Sequence, residues 1–155
     1  MTDASLQKIA ATYGTPTFVF DTDALQARVR AIQTIWGREI DLCYSIKANP
    51  FLLPAMMQVT ARLEVCSPGE LSLCESLHAA DARVIYSGVN KTPVDIARAV
   101  ADGVGTCTAE SLLQLRYLQD AARKAACAAA AERGQSVRHV KGGSFHRIGA
   151  SQGNT

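Results

Sequence analysis

The stretch Leu42-Cys-Tyr-Ser-Ile-Lys-Ala-Asn-Pro50 decides the fold, because an apolar, strand-like run ends directly before a helix start. Asn49 offers a capping side chain, and Pro50 suits the first position of a helix. The same order recurs along the chain: apolar runs end at residues 46, 66, 86 and 107, which are 20, 20 and 21 residues apart. Helix starts follow the later runs at Ser67-Pro68, at Thr92-Pro93 and in the stretch 108–111.

A strand, a short turn and a helix that repeat in this way are typical of parallel strands joined by helical crossovers. Helical periodicity supports this interpretation, since Leu25, Val29, Ile32 and Trp36 share one face and Gly37 follows as a stop. The sequence therefore predicts an α/β fold with about four βα units, half of a (β/α)8 TIM barrel. A doubly wound open sheet is the alternative, but no GxGxxG motif follows the first strand.

The composition fits an ordinary globular chain of 155 residues, with 48% hydrophobic and 19% charged residues and a net charge of +2. It excludes a collagen-like, disulfide-scaffold or membrane-spanning protein. The five cysteines include no CxxC pair, so we expect reduced thiols in the cytoplasm and no metal site. Because no basic region is followed by an apolar stretch at the N-terminus, we predict no signal peptide.

The charge balance changes near residue 120. Residues 1–120 hold 10 basic and 13 acidic residues, whereas residues 121–155 hold 6 basic and 1 acidic residue and no leucine. This second part is interpreted either as a basic tail for an acidic partner or as sequence that was never selected to pack. Its alanine-rich stretch 121–131 predicts a helix extension with little to bury. Nucleic-acid binding is not expected, because Phe145 is its single aromatic residue.

Lys47 lies one residue beyond the first apolar run. In a parallel α/β fold the carboxyl ends of the strands meet the helix N-termini at one edge, where ligands bind. We therefore expect Ser67, Glu70 and the segment 87–92 to converge there with Lys47. A lysine in this position is expected to be partly removed from water, and a neutral amine is the form that reacts with an aldehyde. A solvated lysine at a strand end is the alternative.

The stretch 44–50 resembles the pyridoxal-phosphate lysine motif of the decarboxylases with the alanine-racemase-like fold. This group includes the diaminopimelate, ornithine, lysine and arginine decarboxylases. Three further stretches are similar in order and spacing, namely 64–71, 85–92 and 103–111. Upstream, the stretch 13–21 resembles the lead-in strand of the family. The resemblance covers about residues 13–120 of the chain.

The resemblance implies that residues 1–120 are the N-terminal half of a pyridoxal-phosphate-binding barrel domain. Lys47 would be the catalytic residue that holds the cofactor as an internal aldimine, and the reaction would remove the α-carboxylate of an amino-acid substrate. Cofactor contacts are implied for Glu64, where the family more often has aspartate, and for Ser67 and Glu70, although a capping box explains the last two as well. An amino-acid racemase of the same fold is the alternative, and the stretches 46–50 and 67–70 favour the decarboxylases.

Lys91 is open to two interpretations: it could help bind an anion, but a lysine in a polar turn needs no special role.

The stretch 142–152 is similar to a later family strand in which a histidine stacks on the cofactor ring and a serine contacts its phosphate. In that register His146 and Ser151 are the counterparts, while another register places Arg147 at the histidine position. After Leu118 no apolar run with an arginine, the expected fifth strand, is found. We therefore expect residues 121–155 to be a helix extension and an irregular basic tail of a truncated or frame-shifted barrel.

Such a barrel would be inactive and prone to associate, whereas the full-length family is homo-oligomeric. A fragment that binds a full-length relative is a further alternative, and no membrane partner is expected.

Overall fold

The computed structural model describes residues 1–37, 39–79 and 81–132. Helices and strands alternate after two initial helices, and two 3₁₀ turns, Ile46–Ala48 and Pro50–Leu52, follow the first strand. The elements are α1 (Asp3–Tyr13), α2 (Thr22–Trp36), β1 (Cys43–Ser45), α3 (Leu53–Met56), β2 (Arg62–Val65), α4 (Pro68–Ser76), β3 (Val84–Tyr86), α5 (Pro93–Ala101), β4 (Thr106–Cys107) and α6 (Leu112–Glu132).

The strands form one parallel sheet in the order β1-β2-β3-β4. Neighbours in the sheet are also consecutive along the chain, and a helix joins each pair. In the register, Ser45 lies opposite Glu64, Glu64 opposite Ile85, and Ile85 opposite Thr106. The predicted α/β fold with four parallel βα units is therefore confirmed, with strands shorter than the apolar runs suggested.

Side chains along each strand alternate between two different environments, as the pleat of a strand requires. Leu63 and Val65 of β2 are completely buried, and they pack with Leu71 of α4 and Ala99 of α5 in the main core. The other face, which we call the inner face, carries Ser45, Glu64, Ile85 and Thr106. Its side chains are more polar, and Glu64 is only half-buried. The helices thus cover one face of the sheet and leave a polar inner face.

Two smaller apolar clusters attach the outer helices. Val29 of α2 packs with Met56 of α3 and with Val59, and Ile96 of α5 packs with Leu118 and Ala121 of α6.

α6 continues without interruption from Leu112 to Glu132. Leu118 of this helix is buried, while Leu112 and Leu113 are exposed. No helix among the described residues is both long and apolar enough to span a bilayer.

The helices begin at the capping residues identified in the sequence, but one hydrogen bond at the start of α4 has a different partner. A complete capping box forms at α5, where Thr92 Oγ1 accepts from the Asp95 N–H and the Asp95 carboxylate accepts from the Thr92 N–H. At α4, Ser67 Oγ accepts from the Glu70 N–H, but Glu70 reaches one residue farther and accepts from the Cys66 N–H. The predicted Ser67–Glu70 capping box is therefore only half formed, because the carboxylate is used to hold the end of β2.

The N-terminal part lies outside the sheet. α1, which the sequence did not predict, has no buried residue. The segment 14–20 has no strand partner among the described residues, and Phe18 is 94% exposed there. The predicted lead-in strand thus does not form within this part of the chain. α2 ends as predicted, at Gly37 with φ of +77°.

Candidate functional site

Lys47 lies at the carboxyl edge of the sheet, in the 3₁₀ turn that directly follows β1. The turn is anchored by Ile46, which is completely buried, and by Tyr44 Oη, which donates to the Asn49 carbonyl at 2.6 Å. Lys47 itself is exposed. The expectation that it is partly removed from water is wrong for the described residues, because β1 is an edge strand there and nothing among them covers the turn.

Glu64 places a carboxylate on the inner face, where an active-site acid would lie. Its Oε1 accepts a hydrogen bond from Ser87 Oγ at 2.6 Å. The pKa of Glu64 lies below its ordinary value because the hydroxyls of Ser45 and Ser87 stabilise the carboxylate, with a smaller contribution from the positive charge of Lys47. Of the two serines only Ser87 reaches full hydrogen-bond geometry. A carboxylate that stays ionised therefore lies within the electrostatic reach of the Lys47 amine.

Ser67 and Glu70 lie at the start of α4, next to the end of β2. The two carboxylate oxygens of Glu70 are both used: Oε2 accepts from the Cys66 N–H at 2.9 Å and Oε1 accepts from Ser67 Oγ at 3.2 Å. Cys66 in turn places its Sγ 3.4 Å from Ser87 Oγ. These contacts join α4 to the inner face, and they give both residues a structural role that is compatible with a cofactor nearby.

Lys91 lies at the same edge of the sheet, and its burial is unexpected for a lysine in a polar turn: the residue is only 4% exposed. Its Nζ donates to the Gly88 carbonyl, lies 3.4 Å from Thr108 Oγ1 and lies 5.5 Å from the centre of the Tyr86 ring. Burial lowers the pKa of the amine, and the negative charge of Glu110 acts in the opposite direction. Lys91 thereby connects the turn after β3 with the segment after β4.

A second contact ties the same two segments together. Gln114 Nε2, near the start of α6, donates to the Val89 carbonyl at 2.7 Å. Its Oε1 accepts from the Glu110 N–H at 3.0 Å. The loops on the carboxyl edge are thus held by side chains that bridge from one βα unit to the next.

The structure places Lys47 within electrostatic reach of Glu64. Contacts through Cys66 and Ser87 link Glu64 to Ser67 and Glu70. His146 and Ser151 lie outside the described residues, and their roles stay predictions. Sequence reasoning placed Ser87 at this edge as part of the segment 87–92 but gave it no role, although its position directly after β3 and on the inner face follows from the strand register. It also missed the burial of Lys91, for which periodicity gives no signal.

An open cleft of about 600 Å³ lies at the opposite edge of the sheet. It is lined by residues from the end of α2 and the entry to β1, including Arg30, Gln33, Asp41 and Leu42. Ligands of parallel α/β folds bind at the carboxyl ends of the strands, so this cleft is separate from the candidate site.

Residues 22–143 match a family model described as pyridoxal-dependent decarboxylase, pyridoxal binding domain. Among curated relatives, the diaminopimelate decarboxylase of Pseudomonas aeruginosa is 34% identical over 118 residues, which cover 74% of this chain and 28% of that protein. The diaminopimelate decarboxylase of Aquifex aeolicus is 30% identical over 122 residues, 77% of this chain and 29% of that protein. The chain thus spans less than a third of the length of these relatives.

Solved structures agree in fold. The structure of AQ1208 from Aquifex aeolicus has a TM-score of 0.68 and 28% identity, covering 78% of this chain and 31% of that chain. Diaminopimelate decarboxylase from Helicobacter pylori, complexed with L-lysine, has a TM-score of 0.66 at 19% identity, over 78% of this chain and 32% of that chain. The second likeness concerns the fold alone. The described sheet therefore corresponds to part of the domain that these larger chains contain.

Proposed function

We propose, from the premise that the chain belongs to the pyridoxal-dependent decarboxylase family through its pyridoxal-binding domain, that Lys47 binds pyridoxal phosphate covalently in a carboxy-lyase acting on amino acids. The family implies the cofactor, whereas the role of each residue is our proposal. One observation carries it: an exposed lysine amine lies at the carboxyl edge of the sheet, within electrostatic reach of an ionised carboxylate of the inner face.

The residues present fit this cofactor. Lys47 is reachable by an aldehyde from solvent, and the adjacent turn is held rigidly by Tyr44 and Asn49. Ser45 Oγ is buried on the inner face and makes no hydrogen bond of full geometry among the described residues. It helps to stabilise the Glu64 carboxylate and keeps hydrogen-bonding capacity for a neighbouring ligand atom. Glu64 supplies a fixed negative charge, and Ser67 and Glu70 hold the strand end beside it.

When bound, pyridoxal phosphate supplies an electron sink for the pair left behind by the departing carboxylate. The described residues contribute position and charge. Lys47 holds the cofactor at the edge where the strands end, and Glu64 offers a negative charge to cationic groups that come close to it. His146 and Ser151 are proposed to contribute contacts to the ring and to the phosphate.

Reduction with borohydride tests the cofactor lysine directly. We expect the full chain, mixed with pyridoxal phosphate and reduced, to gain the mass of one pyridoxyl phosphate on the peptide that contains Lys47. Lys47→Ala should lose this adduct together with the absorbance of the bound cofactor. Lys8→Ala is the matched control, since Lys8 is an exposed lysine in α1, and it should keep both signals. Equal labelling at positions 8 and 47 would show adventitious modification of surface lysines and overturn the proposal.

The first amino acid to test is diaminopimelate, because the relatives at 30–34% identity carry that substrate in their names. Release of CO₂ distinguishes a decarboxylase from the racemase alternative, which would exchange the α-proton without losing the carboxylate. Cofactor trapped on Lys47 with neither reaction is the outcome expected of a truncated, inactive barrel.

A cytoplasmic location belongs to the same proposal and is supported by the five cysteines, all of which are free. Homo-oligomerisation stays a prediction. The exposure of Phe51 and Leu112 and the edge positions of β1 and β4 in the described sheet support it.

A further inference from the structure

Ser87 and Glu64 meet diagonally across two neighbouring strands. Glu64 lies opposite Ile85 in the register, so Ser87 is two residues farther along the chain, directly after the end of β3. With strands about 4.8 Å apart and a rise of about 3.3 Å per residue, their Cα atoms are separated by about 8 Å. The hydrogen bond from Ser87 Oγ to Glu64 Oε1 nevertheless measures 2.6 Å. The longer side chain of glutamate, compared with aspartate, supplies this reach.

Ser45 approaches the same carboxylate from the other side. It lies directly opposite Glu64 in β1, and its hydroxyl is buried without a hydrogen-bond partner among the described residues. Both strands that flank Glu64 therefore present a serine hydroxyl to the inner face. Together the two hydroxyls stabilise the ionised form of Glu64.

Cys66 fixes the direction in which the Ser87 hydroxyl points. Its Sγ lies 3.4 Å from Ser87 Oγ. Since Ser87 uses its proton on Glu64, the thiol is the donor in this contact. The backbone of Cys66 is held by Glu70, so the Ser87 hydroxyl has an anchored donor on one side and the carboxylate on the other.

We propose that Ser87 is a positioning residue: with support from Ser45, it holds the Glu64 carboxylate on the inner face, near Lys47. The Ser87 hydroxyl reaches a glutamate side chain at position 64 but not the shorter side chain of an aspartate. The inference deepens the proposed function and rests on it for the purpose that the carboxylate serves. The contact itself requires no cofactor, so it can be measured on the chain alone.

The test is a pH titration of Glu64 by carboxylate ¹³C NMR, performed on the full chain labelled at glutamate. Glu64→Gln assigns the resonance among the six glutamates of the sequence. We expect Ser87→Ala to move the titration midpoint of Glu64 upward, toward the ordinary glutamate value, because the 2.6 Å hydrogen bond to the charged form is lost. Ser87→Thr keeps the hydroxyl and should restore the wild-type midpoint. Ser45→Ala should also move the midpoint upward, because the Ser45 hydroxyl contributes to the lowered pKa as well.

A second variant separates positioning from general stability. In Glu64→Asp, labelled at aspartate, adding Ser87→Ala should leave the midpoint at position 64 unchanged, because the shorter side chain does not reach the hydroxyl. Thermal unfolding is recorded for each variant, since a purely structural role for Ser87 would change the melting temperature and leave the Glu64 midpoint in place. That result would overturn the inference, as would equal shifts in Ser87→Ala and Ser87→Thr.

The two proposals fail in distinguishable ways. If reduction traps no cofactor on Lys47 but Ser87→Ala shifts the Glu64 midpoint, the proposed function fails and the positioning role stands. If the cofactor is trapped on Lys47 but the midpoint does not respond to Ser87→Ala, the positioning role is refuted alone.

Discussion

Gly88 allows the turn after β3 to pass against the end of β2. A Cβ atom at this position would lie 2.1 Å from the carbonyl oxygen and 2.8 Å from the carbonyl carbon of Cys66. Both atoms belong to the backbone, so no side-chain rotation relieves the contact. Gly88→Ala therefore forces the two strand ends apart by about 1 Å to reach an ordinary contact, and we expect a loss of about 1–3 kcal/mol in the free energy of unfolding.

Gly69 provides the matched control, because it undergoes the same chemical change in open space. It lies in the first turn of α4, and the nearest atom to an added Cβ is Ser67 Oγ at 3.9 Å. Alanine is favoured over glycine within a helix by roughly 0.5–1 kcal/mol. The two glycine-to-alanine substitutions should thus have opposite signs.

Thermal unfolding followed by circular dichroism measures the difference. For a chain of this size, about 1 kcal/mol corresponds to roughly 2–4 °C in Tm, so Gly88→Ala should melt several degrees below the wild type and Gly69→Ala slightly above it. Gly88→Ala should also disturb the hydrogen bond from Lys91 Nζ to the carbonyl of residue 88, because that residue is the one that moves. If the two variants melt at the same temperature, the close approach of β2 and the turn after β3 is refuted.

Two further predictions concern the core and the helix layer. Leu63→Ala removes a completely buried side chain from the sheet and should cost about 2–5 kcal/mol in chemical denaturation, whereas Leu112→Ala, at a position 77% exposed, should stay within about 0.5 kcal/mol of wild type; equal losses would contradict the assigned core. Arg98 hydrogen-bonds to Glu75 and lowers its pKa, while burial and Glu75 raise the pKa of Asp102. The stability that Glu75 contributes is present above its unfolded-state pKa and is lost as the pH falls through its lower folded-state pKa. Arg98→Met should therefore destabilise the protein at neutral pH and approach wild-type stability in acid, and a pH-independent difference would contradict this pairing.

The repeat of the sequence was sufficient to predict the sheet, since burial in a parallel α/β fold demands apolar runs at regular intervals. The helix boundaries followed from residues such as Thr92 at the start of α5 and Gly37 at the end of α2. α1 escaped prediction because none of its residues is buried, and hydrophobic periodicity detects only helices that pack.

The candidate site was predictable where its residues stand at strand ends, as Lys47 does. Its finer geometry was not, because it depends on which side chains meet across strands. Glu70 satisfies the Cys66 N–H instead of the Ser67 N–H, and a local capping pattern cannot anticipate that choice. Ser87 becomes interpretable only once the register places it diagonally from Glu64.

The burial of Lys91 has a chemical consequence for the edge that it shares with Lys47. Both amines belong to the same group of strand-end loops, yet Lys47 is exposed and Lys91 is only 4% exposed. An amine with a lowered pKa is neutral, and so able to react, in a larger fraction of molecules, so Lys91 would compete for any aldehyde that reached it. Hydrogen bonds from its Nζ to the Gly88 carbonyl and to Thr108 Oγ1 hold this amine below the surface. The two lysines therefore differ in their access to solvent, and this difference makes Lys47 the amine that an incoming carbonyl compound meets first.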